Sequence, residues 1–251
     1  MSNQKIKIEL LVHDLKGPLA VIETGITSLL QRESKYGALT EKQKKVLHRA
    51  LRNTKITQTL VNDTLEVGKS TEGIINNNIF PISGLITQSL LEIFDLTDSD
   101  TAEDIKQCDN LALFRKKLSD KGIQLDIDEV LWDQKVCLDE CKMRQILRNL
   151  LNNALKYRKE HLEIKFEKNN GSLLISVRDD GEGIPENFHK KIFECYFQME
   201  SGREYCVRGH GLGLAGVMIL VEEMGGNLSL ESGVGKGTKF LVKVPFAGLN
   251  T

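Results

Sequence analysis

From Ile8 onward the apolar positions fall at Ile8, Val12, Leu15, Leu19, Ile22, Ile26 and Leu29. Steps of four and three residues alternate over about three heptads, which predicts a helix with a coiled-coil-like seam. Glu33 to Leu39, with Gly37 inside it, breaks the pattern. Thr40 and Gln43 then have the spacing of a capping box, and a second helix is predicted over Glu41 to Val67. Its seam (Leu47, Leu51, Val61, Leu65) is interrupted by Thr54 and Gln58, and Gly68 is a natural stop. Two antiparallel helices form a hairpin with too little core to stand alone. Pairing of two copies into a four-helix bundle, and hence a homodimer, is expected.

The Asn-rich stretch Gly73 to Pro81 reads as a linker, after which the period changes. Helices are predicted over Ser83 to Phe94, Ala102 to Leu118, Glu140 to Tyr157 and Leu212 to Met224. Strands are predicted over Ile123 to Ile127 and Ser172 to Val177. Leu228 to Glu231 and Thr238 to Val244 make a hairpin around Gly233-Val234-Gly235-Lys236-Gly237. Helices and strands mix without regular βαβ alternation. The expected class is therefore α+β: a helical hairpin over 1–72, a linker over 73–81, and an α/β sandwich with helices on one face over 82–251.

Composition narrows the function classes. The chain has 251 residues, 40% hydrophobic and 27% charged, with a formal net charge of -1. That balance supplies no general basic field for nucleic acid or an anionic membrane, so a partner must be recognised by a local surface. Five cysteines without framework spacing fit free thiols in a reducing cytosol, and Cys137 and Cys141 are too isolated for zinc. The longest apolar stretch, around Leu212 to Val221, is about half of the ~20 residues a membrane span requires. No signal-peptide pattern opens the chain. A cytoplasmic segment without membrane contact is expected.

Four constellations carry chemistry. His13 flanks the seam residue Val12, where an imidazole reaches solvent, and Asp14 beside it can accept from one ring nitrogen and leave the other nucleophilic. Pro18, after Gly17, removes a helical hydrogen bond and loosens the backbone just beyond. On the Glu140 to Tyr157 helix, Gln145, Asn149 and Asn153 share one face at i, i+4, i+8. Asparagine is a poor helix former. An amide oxygen, however, is a neutral hard ligand for Mg²⁺ that already bridges phosphate oxygens. Lys156 and Tyr157, one turn on, are placed for phosphate and ribose.

The strand Ser172 to Val177 runs into Arg178-Asp179-Asp180-Gly181-Glu182-Gly183-Ile184, where two glycines admit close approach of a flat ligand. A buried Asp179 would accept from an exocyclic amino group, as on adenine. Gly209-His210-Gly211-Leu212-Gly213-Leu214 then opens a helix whose N-terminus suits phosphate. Gly211, Gly213 and Gly216 also fit a dinucleotide G-x-G-x-x-G, yet the preceding Gln198 to Arg208 is polar rather than a strand. Gly235-Lys236-Gly237-Thr238 is not a P-loop, because Gly237 separates Lys from Thr.

Together these segments resemble the sensor histidine kinases over nearly the whole chain. His13-Asp14-Leu15-Lys16-Gly17-Pro18-Leu19 is similar to the phosphoacceptor box and Asn149 to Ala154 to the asparagine box. Asp179 to Gly183 is similar to the first glycine box, Ile192-Phe193-Glu194 with Phe197 to the phenylalanine box, and Gly209 to Leu214 to the second glycine box. The resemblance implies a dimerisation and phosphotransfer hairpin followed by a Bergerat-type ATP-binding domain. It implies a lid over Gln198 to His210 in which Arg203 or Arg208 neutralises phosphate. It further implies ATP with Mg²⁺, transfer of the γ-phosphoryl group to His13, and onward transfer to a response-regulator aspartate. The regulator-recognition face then falls on Val21, Thr24, Gly25 and Ser28.

Two departures from the family pattern stand out. Gly17 occupies the place where many relatives carry a Thr or Asn that positions water for dephosphorylation. The stretch Asp95 to Asp109 is long and acidic, and reads as a solvated loop leading into a helix N-terminus. Two other functions fit subsets of the motifs: a Bergerat-fold serine kinase of the anti-sigma type, for which His13 is incidental, and a phosphotransfer or dimerisation scaffold with a dead nucleotide site.

Overall fold

The computed structural model describes residues 2–70, 75–194 and 213–248, and of 2–13, 56, 59–60, 62–70, 96 and 247–248 the backbone alone. The chain divides into two compact units, residues 1–72 and 73–251.

The first unit is a helical hairpin. α1 (Ser2–Gln31) contains Pro18, a short α2 (Glu33–Tyr36) occupies the turn, and α3 (Glu41–Ser70) returns along α1. The capping box forms as its spacing requires. Thr40 N donates to Gln43 Oε1 at 2.9 Å, and Gln43 N donates to Thr40 Oγ1 at 3.3 Å. The two polar residues that interrupt the α3 seam are satisfied inside the hairpin. Thr54 is buried with its hydroxyl on the carbonyl of Ala50, and Gln58 Nε2 donates to Glu23 Oε2 of α1 at 2.9 Å. Leu15 and Ile22 remain 42% and 48% exposed in a single copy.

The second unit is an α/β sandwich. A five-stranded sheet runs β2 (Ile123–Asp126), β4 (Leu162–Asn169), β5 (Ser172–Asp179), β7 (Thr238–Pro245), β6 (Asn227–Ser232), parallel only between β2 and β4. Period-two alternation sends Leu162, Ile164, Phe166, Ile175, Val177, Phe240 and Val242 into the core. The core is completed by α4 (Ile82–Thr97), α8 (Glu140–Tyr157) and α9 (Gly213–Glu223), which supply Leu85, Leu90, Ile146, Leu150, Val217 and Val221. Each such buried aliphatic side chain stabilises by roughly 1.5–3 kcal/mol in transfer terms. The other sheet face is charged: Gln124, Glu163, Arg178, Lys239 and Glu231 form one cross-strand row. Among the described residues no helix is long and apolar enough to cross a membrane.

Several elements differ from the sequence reading. The single helix expected over Ala102 to Leu118 is two, α5 (Ser99–Lys106) and α6 (Leu111–Ser119). Each half has its own N-cap: Asp98 accepts from Thr101 N, and Asn110 accepts from Leu113 N at 2.9 Å. The acidic stretch is therefore not a loop, since most of it forms α5, and several of its carboxylates are paired with lysines. Asp98 lies 2.9 Å from Lys121, Asp104 2.8 Å from Lys117, and Lys106 3.3 Å from Asp95. The Thr101 hydroxyl and then Lys121 hold the Asp98 carboxyl down to about 2.

Asn78–Pro81, read as the end of a linker, is strand β1, antiparallel to β3 (Lys135–Leu138), which also pairs with β8 (Ala247–Gly248). β3 and α7 (Glu129–Asp133) are too short to show a period. β4 does show one, in Leu162, Ile164 and Phe166, but its charged alternate positions disguised it.

Candidate nucleotide site

α8 begins at a buried cap. Asp139, 4% exposed, accepts from Lys142 N at 3.1 Å and from Asn76 N at 2.9 Å. The helix then turns Met143, Ile146, Leu147, Leu150, Leu151 and Ala154 into the core, so its polar row is forced onto the remaining face. Gln145 of that row is itself buried, which leaves Asn149 and Asn153 as its partly exposed members. Neither of these two amides has a hydrogen-bond partner among the described residues.

Their neighbour is the start of α9. A Cβ built on Gly213 would lie 3.7 Å from the Asn149 amide, so that glycine lets a helix N-terminus approach the asparagine row. Free backbone N–H groups at such an end attract anions. Leu214 packs partly buried against the core. The other end of α9 is fastened to the start of α8 by Lys142 and Glu223, 2.8 Å apart. Arg203, Arg208, Gly209, His210, Gly211 and Leu212, with Phe197 and the lid expected over Gln198 to His210, lie outside the described residues.

The far end of the site is built at the end of β5. Asp179 is 5% exposed, and burial pushes its carboxyl above the ordinary 3.8, against the opposing pull of backbone hydrogen bonds from Gly181 and Thr238. Gly181 N donates to Asp179 Oδ1 at 2.9 Å. A side chain at Gly181 would strike the carbonyl of Tyr157, so glycine is what lets this turn close on the last turn of α8. Gly183 has φ +74°, with the Gly233 carbonyl where a Cβ would sit. Ile184 packs on the core. Lys156 is exposed, with Nζ 4.8 Å from the ring centroid of a 55% exposed Tyr157. Ile192 is buried, and Phe193 meets Phe240 edge-on at 6.3 Å.

Two residues to which the sequence assigned no site role stand here. Thr238, 7% exposed, stands opposite Asp179 in the β5–β7 register. Ser232 joins the Ile184 backbone to the Gly237 carbonyl. Both flank the glycine-rich β6–β7 hairpin, and their placement comes from strand register rather than from any local motif.

In the hairpin, His13 belongs to α1, whose described side chains begin at Asp14. Val21 is 72% exposed, Thr24 and Gly25 are exposed, and Ser28 is half-buried. A Cβ at Gly17 or Gly25 meets nothing within 4 Å.

Among the described residues no cluster of three or more His, Cys, Asp or Glu side chains has metal-binding geometry. The partly exposed, neutral amide of Asn153, the residue expected to hold Mg²⁺, is instead a donor suited to a cation whose charge phosphate already balances. A hollow of about 470 Å³ includes Gln124, Glu163 and Arg178 in its lining and belongs to the charged outer face of the sheet. Asp179 and Asp180 also line it, so the hollow reaches the end of β5 at the edge of the glycine turn.

Comparison with known proteins places both units. The family model described as the His Kinase A (phospho-acceptor) domain matches residues 8–73. The one described as histidine kinase-, DNA gyrase B-, and HSP90-like ATPase matches residues 138–248. Together they span more than half of the chain. Sensor protein SrrB of Staphylococcus aureus is 25% identical over 242 residues, 93% of this chain and 36% of that protein. The chain thus spans about a third of the length of the curated relatives it matches. Among solved structures, full-length ShkA in complex with AMPPNP superposes with a TM-score of 0.67 at 23% identity, covering 98% of this chain and 46% of that one. The Acinetobacter baumannii histidine kinase AdeS gives 0.57 at 18% identity, covering 94% and 98%. These likenesses concern the fold.

Proposed function

The chain belongs to the sensor histidine kinases, and from that premise we propose that it phosphorylates His13 from ATP and passes the phosphoryl group to an aspartate of a response-regulator receiver domain. The observation that carries this reading is the meeting of three elements in one unit. The amide of Asn149 lies beside the start of α9, that of Asn153 follows one turn on along α8, neither has a hydrogen-bond partner among the described residues, and the buried acceptor Asp179 closes the other end of the site.

Phosphates would be received by the backbone of Gly209 to Leu214 and the α9 N-terminus, with Arg208 and Lys156 adding positive charge. Asp179 would accept from the exocyclic amino group of adenine, while Gly181, Gly183 and Ile184 admit the flat base and Tyr157 borders the ribose. Asn153 would hold Mg²⁺, which when bound would neutralise phosphate charge.

A ring nitrogen of His13 attacks the γ-phosphorus in line: the N–P bond forms as the bond to the β-phosphate oxygen breaks, and ADP leaves. Asp14 accepts a hydrogen bond from the other ring nitrogen, holds the reactive tautomer and stabilises the charge that the ring acquires. In the second transfer the regulator's carboxylate oxygen bonds to phosphorus and the imidazole departs.

A homodimer goes with this reading, since pairing of two hairpins would cover the open seam residues Leu15 and Ile22. The face of small side chains at Val21, Thr24, Gly25 and the half-buried Ser28 would receive the receiver domain. A cytosolic setting follows from the supply of ATP.

The test is incubation with γ-³²P ATP. Acid-labile, base-stable label that disappears in His13→Ala, with nucleotide binding retained, supports the proposal. Acid-stable label favours a serine kinase, and full labelling without His13 removes the assignment.

A further inference from the structure

Ser232, at the end of β6, sits where the glycine turn after β5 meets the β6–β7 hairpin. Its hydroxyl accepts from Ile184 N at 2.8 Å and donates to the Gly237 carbonyl at 2.8 Å, and Thr238 Oγ1 stands 3.3 Å away. A serine hydroxyl has one proton and two lone pairs. The Gly237 carbonyl only accepts, so it takes the Ser232 proton. The Ile184 N–H only donates, so it occupies one lone pair. What remains on Ser232 is one lone pair, and at that contact Thr238 is the donor.

With its own proton directed at Ser232, the threonine oxygen keeps lone pairs alone for any further neighbour. Thr238 is 7% exposed and pairs in register with Asp179, whose 5% exposed carboxylate is also an acceptor. Asp179 takes Gly181 N at 2.9 Å and, as a carboxylate, has capacity for further donors.

We propose that Ser232 is a positioning residue for base selection: by engaging the Thr238 proton it makes the base end of the site a surface of acceptors. Such a surface admits the exocyclic amino group of a 6-aminopurine and repels the 6-oxo oxygen of a 6-oxopurine. The inference rests on the nucleotide site proposed above and adds to it a residue that sets which purine is taken. A site with committed hydrogen-bond polarity rejects a ligand that presents the wrong group, because buried lone pairs are then left facing each other.

The test is equilibrium binding of ATP and ITP to the full chain, unaltered and as Ser232→Ala and Ser232→Thr. The unaltered chain is expected to hold ATP on the order of tenfold more tightly than ITP. In Ser232→Ala the Thr238 hydroxyl is released to turn its proton toward a 6-oxo oxygen, and the ratio falls toward one. Ser232→Thr keeps a hydroxyl at the junction and restores the ratio. Simple loosening of the turn weakens both nucleotides together and leaves their ratio in place, so an unchanged ratio in Ser232→Ala overturns the proposal. Should that variant not fold, Thr238→Val removes the lone pairs directly, and an unchanged ratio there overturns it equally. Failure of the unaltered chain to bind either nucleotide is seen before any substitution. It removes the nucleotide site itself, and this inference with it.

Discussion

Lys142 Nζ and Glu223 Oε2 stand 2.8 Å apart with side chains only 14% and 15% exposed, joining the first turn of α8 to the last turn of α9. At the other end of α9, Gly213 approaches the Asn149 amide midway along α8. The ion pair thus ties together the two helices that carry the asparagine row and the Gly213 end, although it touches neither.

Glu223→Ala is expected to lower stability by about 2 kcal/mol, between the small worth of an exposed pair and the 3–5 kcal/mol of removing one partner of a fully buried one. Nucleotide affinity should fall with it, because α9 loses its anchor. Thermal unfolding and a nucleotide titration on the same variant check both parts. A Lys142→Met, Glu223→Leu double substitution should recover most of the stability, since two apolar groups leave no charge stranded.

The Asp179 carboxyl titrates above 3.8 because it is buried. It must be ionised to act as a pure acceptor, so nucleotide affinity should decline on acidification at a pH above the ordinary Asp range. For stability the sign is opposite to that of a paired carboxylate. The folded state holds its proton more tightly than the unfolded one, so this group's contribution weakens as pH rises from 3.8 through the raised value. Asp179→Asn should bind nucleotide weakly and lose the acid limb of the affinity profile. An identical limb in that variant would assign it to another group.

Gly183 and Gly171 both have φ +74°, but only at Gly183 does a backbone carbonyl, that of Gly233, occupy the place of a Cβ. Gly171→Ala should cost about 1 kcal/mol, the conformational penalty alone. Gly183→Ala should cost several times more and abolish nucleotide binding, because the turn must move away from the β6–β7 hairpin. Chemical denaturation of the two variants side by side isolates the difference.

Gly17 is exposed and has open space around its Cβ position, so Gly17→Thr and Gly17→Asn enter α1 without a clash. Removing a glycine from a helix interior should stabilise the hairpin by a few tenths of a kcal/mol. A hydroxyl or amide one turn beyond His13 is also a means of holding water in line with an aspartyl phosphate. The unaltered chain with ADP should leave the lifetime of a phosphorylated regulator nearly unchanged, and either variant should shorten it by tenfold or more. Rapid loss with the unaltered chain would show that the missing side chain is dispensable.

The sequence by itself determined those features whose physics is local. The α1 seam, the Thr40–Gln43 capping box, the amphipathic face of α8 and the glycines at 181 and 183 all follow from chain spacing, because helical period, cap geometry and backbone clearance involve residues a few positions apart. Tertiary structure alone decided which polar groups are paired and which are left for a ligand. Nothing local distinguishes Gln145 from Asn149 on one helix face, yet packing buries the first and leaves the second beside Gly213. Nor does chain spacing bring Ser232 to Ile184, 48 residues away, or set Thr238 opposite Asp179. Those meetings depend on strand register and on the closing of one loop against another, and strand pairing carries no sequence period of its own beyond the alternation of two.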